Sequence, residues 1–156
     1  MSVVGFTGTQ NGMTDVQKAH VRGWLYSLRA TEFHHGDCIR ADAEAHAIAT
    51  RMGINIVAHP GFDSKGGSPK RAGCQAWSTL PAKSYRVRNA DIVRASNFLI
   101  AAPRSLEVKR SGTWMTIRMA RKAGVPLVII YPNGEEQLEG MPESNVEQAV
   151  EHLPED

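Results

Sequence analysis

The sequence predicts an α/β domain with a mostly parallel sheet of about five strands and helices on both faces. Three observations predict it. Short β-branched apolar runs alternate with segments of helical periodicity along most of the chain. The 156 residues suffice for one domain with a real core. The glycine-rich and charged turns follow strands, so they fall on one sheet edge.

The first strand is Ser2 to Phe6, short and β-branched. Thr14 or Asp15 caps the next helix, with Gln17 at capping-box distance from Thr14. Val16, Ala19, Val21, Trp24, Leu25 and Leu28 carry its periodicity up to Arg29. Thr31 to His35 is a brief second strand. Asp42 is expected to cap a helix through Ala43, Ala47, Ile48 and Met52, and Gly53 ends it. Ile54 to Ala58 is the third strand.

Residues 59–84 are rich in glycine and proline and show little periodicity, which marks a functional or disordered loop. Trp77 within it is a candidate base-stacking lid. Val87 to Ala95 reads as a helix and Asn97 to Ala101 as a strand. After a polar loop at 103–111, Thr113 to Lys122 is amphipathic, with Trp114 and Ile117 on neighbouring turns. Gly124 closes that helix before a strand at Pro126 to Ile130. The domain is expected to span 1–132. Residues 133–156 read as an acidic C-terminal tail with a short helix at Ser144 to Leu153.

Composition excludes several classes. Hydrophobic content is 42% and charged content 22%, as in ordinary globular proteins. A net charge of +2 argues against a nucleic-acid partner. No apolar run approaches the roughly 20 residues needed to span a bilayer, so no membrane partner is expected. Cys38 and Cys74 offer neither metal spacing nor a disulfide framework. A strand-like N-terminus argues against a leader, and together these features predict a cytoplasmic protein with reduced thiols.

Two turns point to phosphate. Thr7, Gly8, Thr9 and Gln10 occupy the first strand-to-helix turn, where hydroxyls and backbone N–H groups can meet phosphate or ribose. The match to known nucleotide fingerprints is incomplete, since neither the three-glycine dinucleotide spacing nor Gly-Lys-Ser/Thr is present. Arg110, Ser111, Gly112 and Thr113 form the second turn, opening a helix just past a strand. Arg104, Lys109 and Arg118 flank it, and arginine suits bidentate phosphate binding. A third cluster, His34 to Asp42, reads as a polar turn made tight by Gly36. Its residues are consecutive rather than spaced as ligands, so no metal is expected there. Asp42 either caps the helix or binds a ribose hydroxyl, and Asp37 is a second candidate contact.

Gly8-Thr9, then His35-Gly36-Asp37-Cys38-Ile39-Arg40-Ala41-Asp42 with Ala45, His46 and Ala49, then Ser111-Gly112-Thr113-Trp114-Met115-Thr116-Ile117-Arg118 before Gly124-Val125-Pro126, resemble the SLOG superfamily. The resemblance covers roughly residues 2–132. That superfamily includes lonely-guy phosphoribohydrolases, DprA-like proteins and molybdenum-cofactor carriers. The resemblance implies a Rossmann-like domain that binds a nucleotide-like small molecule, a homodimer, and a phage or bacterial source. The hydrolases carry Pro-Gly-Gly-x-Gly-Thr-x-x-Glu. Here Gly112-Thr113 matches, Lys109 and Arg110 replace the preceding glycines, and Thr116 stands at the catalytic glutamate. The leading expectation is therefore a binding module with no cofactor of its own. A nucleotide N-glycosidase is the alternative, and it needs another carboxylate from Glu107, Asp37, Asp42 or Asp91. A molybdenum-cofactor carrier is the second alternative.

Overall fold

A computed structural model describes residues 2–66 and 70–141. Its first half runs β1 (Ser2–Gly8), α1 (Asp15–Ser27), β2 (Ala30–His35), α2 (Ala41–Arg51) and β3 (Asn55–Ala58). The long loop contains three two-residue strands, β4 (Gly61–Phe62), β5 (Ser78–Thr79) and β6 (Lys83–Ser84). The second half runs α3 (Tyr85–Ala95), β7 (Phe98–Ala102), α4 (Gly112–Ala123), β8 (Leu127–Ile130) and β9 (Glu136–Glu139).

Seven strands form the main sheet in the order β5-β3-β2-β1-β7-β8-β9. Every pairing is parallel except β8 with β9. The five expected strands are its centre, and β5 and β9 extend its two edges. Their brevity or polarity hid them: β5 is two residues long, and β9 reads Glu-Gln-Leu-Glu. β9 lies inside the segment expected to be a tail. Glu136 ties it to α1 by accepting from Trp24 Nε1 and meeting His20 Nδ1. The helix expected at Ser144 to Leu153 lies outside the described residues.

Both faces of the sheet are covered, which is why its central strands are continuously apolar. Phe98, Ile100 and Ala102 of β7 face a core with Phe6, Trp24 and Phe33. Leu99 and Ala101 of the same strand face a second core with Ile92, Trp114 and Ile117. The period of two therefore divides one strand between α1/α2 and α3/α4.

Local chemistry sets the helix ends. Thr14 caps α1 with a complete capping box, its hydroxyl accepting from Gln17 N–H while Gln17 Oε1 accepts from Thr14 N–H. Gly124 closes α4 at φ 73°, a left-handed conformation that glycine adopts without Cβ strain. The expected cap on α2 is corrected. Arg40, at φ 71°, is its N-cap and makes no side-chain cap bond. Asp42 instead lies within the first turn and sends its carboxylate back to the preceding loop. Among the described residues, no helix is long and apolar enough to cross a membrane.

Candidate functional site

The chain builds outward from β1 through β2 and β3, then returns to β7 on the other side of β1. That reversal leaves a crevice at the carboxyl ends of the central strands, where ligands bind in such sheets. A cavity of about 500 Å³ lies there. The turns after β1, β2 and β7 line it, together with Arg88, Asn89 and Ile92 from α3.

Ten of the twelve expected site residues meet in this cavity. Thr7, Gly8, Thr9 and Gln10 come from the first turn, Gly36 and Asp42 from the second, and Arg110, Ser111, Gly112 and Thr113 from the third. Asp37 and Arg118 do not line it. Asp37 is buried behind the second turn, where its carboxylate accepts from Cys74 N–H at 2.8 Å and Arg71 Nε at 3.1 Å. Arg118 holds the loop after β7, donating to Glu107 Oε2 at 3.0 Å and to the carbonyls of Val108 and Lys109. Trp77 is 68% exposed and does not line the cavity either.

The turn after β7 is open. Ser111 caps α4 by accepting from Trp114 N–H at 3.2 Å. The N–H groups of Gly112 and Thr113 keep no protein acceptor among the described residues, as expected of a helix first turn. A Cβ added at Gly112 would meet nothing within 4 Å. Arg104 and Arg110 are exposed on the lining, and neither has a carboxylate partner among the described residues. Trp114 is a core residue as well as a lining one, its indole N–H donating to Ser105 O.

The turn after β2 is closed on itself. Asp42 Oδ2 accepts from the N–H groups of Gly36 and Cys38, both at 3.1 Å. Arg88, only 6% exposed, fills the space that glycine leaves at position 36. A Cβ there would sit 2.3 Å from Arg88 Nη1 and 3.0 Å from Asp42 Oδ2. Arg88 Nη1 donates to Gly36 O and His59 O, and its Nε to Asn89 Oδ1. Burial raises the Asp42 carboxyl from 3.8 to about 6, against the pull of Arg88 and the two N–H groups. Burial and Asp42 push the Cys38 thiol up, so it stays protonated at neutral pH. Arg88 carried no distinguishing sign in the sequence, because its partners are backbone carbonyls of distant turns.

Two further groups matter chemically. Thr116, at the position of the hydrolase glutamate, is fully buried and donates to Gly112 O at 2.9 Å. Asp42 is the one carboxylate on the lining, whereas Glu107 is occupied by Arg118 and Arg121.

His35, His46 and Cys74 bring their ligating atoms within 4.8 Å of one another. Their protons are already committed. Asp37 N–H donates to His35 Nδ1 at 2.9 Å, so the neutral ring carries its proton on Nε2, facing His46 Nδ1 at 3.0 Å. Burial holds His35 near 3, far below an ordinary histidine. A metal-bound histidine normally donates from its other nitrogen, which is the reverse of this arrangement. Cys74, hydrogen-bonded to Asp37, is pushed up to about 12.

No protein-family model matches this sequence, and no curated protein matches it significantly. Solved structures do. The molybdenum cofactor binding protein from the phototrophic bacterium Rippkaea orientalis aligns over 97% of this chain and 86% of its own, at 17% identity and TM-score 0.58. A structural-genomics target, TM1055, aligns over 81% of this chain and 72% of its own, at 14% identity and TM-score 0.54. At these identities the likeness is one of fold: this chain is a Rossmann-like α/β domain.

Proposed function

We propose that this protein binds a phosphorylated nucleotide or nucleotide-derived small molecule at the carboxyl edge of its sheet. One observation carries the reading. Among the described residues, Arg104 and Arg110 border the cavity without carboxylate partners, beside N–H groups of Gly112 and Thr113 that have no protein acceptor. Elsewhere on α4, Arg118 and Arg121 are neutralised by Glu107 and Glu139. Cations and N–H donors left unpaired around one concave surface suit an anion that arrives with a ligand. Thr7 and Thr9 add polar groups to the wall. The second oxygen of Asp42 takes no protein hydrogen bond among the described residues and suits a ribose hydroxyl.

The likeness in fold to the Rippkaea molybdenum cofactor binding protein favours a second reading, that of a carrier for the molybdenum cofactor. That cofactor is also phosphorylated, so the open turn would grip it in the same way, with Asp42 left to meet its pterin ring. Turnover ranks below both readings, since Thr116 cannot act and Asp42 alone supplies a lining carboxylate. In a hydrolase, Asp42 would take the proton of the attacking water as the base leaves.

Calorimetry with nucleoside monophosphates, ADP-ribose and NAD tests the binding reading. Mass spectrometry of co-purifying small molecules separates a nucleotide from a pterin. Binding without product release is the expected result. Free base released at enzymatic rates, and lost in Asp42→Asn, would establish the hydrolase instead.

A further inference from the structure

Residues 70–76 form a strap across the second turn, and its anchoring is unusually firm for loop backbone. Ile39 N–H donates to Lys70 O at 3.0 Å, Ala72 N–H to Asp37 O at 2.8 Å, and Cys74 N–H to the Asp37 carboxylate at 2.8 Å. Arg71 closes the anchor with an ion pair to Asp37, a residue only 1% exposed. The Ile39 and Ala72 bonds together make an antiparallel bridge between Cys38 and Arg71. The consequence lies at the strap's start. Lys70 Nζ is delivered to Gln10 Oε1 at 3.0 Å, and Gln10 lines the cavity.

Lys70 is exposed and off the cavity lining itself, but it reaches the lining residue Gln10, and among the described residues that neutral amide is its partner. Of the other basic residues between 65 and 88, Arg71 and Lys83 are paired with Asp37 and Asp91, Arg88 is buried beside Asp42, and Lys65 and Arg86 are not on the cavity lining. Arg104 and Arg110 follow β7 and Gln10 follows β1, its neighbour in the sheet, so Lys70 brings its charge to the turn beside theirs.

We propose that Lys70 is a further anion-binding residue of this cavity, held in place by Asp37, and that it serves a second phosphate group of the ligand. This rests on the reading that the cavity takes a phosphorylated small molecule. Asp37 acts here as a positioning residue: it touches no ligand, and it fixes the strap that presents the cation. That role accounts for a buried carboxylate that the sequence placed among the ligand contacts.

The test compares AMP, ADP and adenosine 3′,5′-bisphosphate by calorimetry on wild-type protein, Lys70→Gln and Asp37→Asn. At least one of ADP and the bisphosphate should bind about tenfold or more tightly than AMP, the scale of one added charge-assisted contact. Lys70→Gln should remove that advantage while leaving AMP affinity within about twofold. Asp37→Asn should reproduce the Lys70→Gln pattern, whereas a general structural loss would weaken all three nucleotides alike. Whichever of ADP and the bisphosphate shows the Lys70-dependent gain tells whether the second phosphate is adjacent or separated. Equal affinity for all three nucleotides, or a gain untouched in Lys70→Gln, would overturn this inference and leave the single-phosphate reading standing. Failure of all three nucleotides to bind wild-type protein would overturn both.

Discussion

The turns after β2 and β7 carry similar residues to the same sheet edge, yet they do opposite things. In the first, Asp42 accepts from Gly36 and Cys38, Arg88 fills the glycine's space, and Asp37 fastens a strap. Its polar groups are spent on each other. In the second, Gly112 faces open space, and among the described residues two N–H groups lack acceptors and Arg104 and Arg110 lack counter-ions. Composition does not separate a structural turn from a binding turn. Satisfaction does: buried polar groups that find partners hold the fold, and those left without partners at a concave surface are the ones our proposal assigns to a ligand.

The sharpest way to break this contrast is to place the same side chain in both turns. Gly112→Val should keep the fold, because its Cβ meets nothing within 4 Å, and should lower nucleotide affinity more than about a hundredfold by blocking the N–H groups. Gly36→Val should do the reverse. Its Cβ would displace the buried Arg88 guanidinium, at a cost of about 3 kcal/mol or more in urea denaturation. Matching losses of stability in the two variants would erase the distinction.

Arginine changes come next. Arg110→Gln should weaken binding by about tenfold to a hundredfold, the range for a charge-assisted bond. Arg118→Gln should change affinity less than about twofold, because Arg118 serves Glu107 and the loop. The sequence placed both among the contacts, so calorimetry on this pair separates lining from flanking.

Protonation sharpens the comparison from the closed side. The Asp42 carboxyl is raised from 3.8 to about 6, so its contribution to stability is present below about pH 4 and lost as pH rises through 6. Asp42→Asn keeps an oxygen for the two N–H donors. It should gain about 1–3 kcal/mol at pH 7, a gain that vanishes near pH 4. His35 and His59 run the other way. They are lowered from 6.5 to about 3 and about 4, chiefly by burial. Their stabilisation is present above pH 6.5 and lost on acidification, so the wild-type melting temperature should fall between pH 6.5 and 4.

Much of the fold was legible because periodicity and caps are local. Thr14 with Gln17 predicted a capping box, and Gly124 predicted a left-handed cap. β5 and β9 were not legible, since one is two residues long and the other is polar on an edge. The open turn was visible as Ser111-Gly112-Thr113, a helix start after a strand. Arg88 and the strap were not, because they depend on contacts 50 and 34 residues apart in sequence, such as Arg88 to Cys38 and Arg71 to Asp37. Asp37 and Asp42 looked alike on paper. Only the direction of each carboxylate assigns one to the strap and the other to the cavity floor.

The central claim is that the turn after β7 is the ligand's anion grip while the turn after β2 is already satisfied. Amide NMR during titration with adenosine 3′,5′-bisphosphate tests it most directly. The Gly112 and Thr113 amide protons should shift downfield and gain exchange protection, as free donors acquire a phosphate acceptor. Those of Gly36 and Cys38 should keep their bonds to Asp42 and change little. The opposite pattern, with Gly36 and Cys38 responding while Gly112 and Thr113 stay unchanged at saturation, would contradict the account.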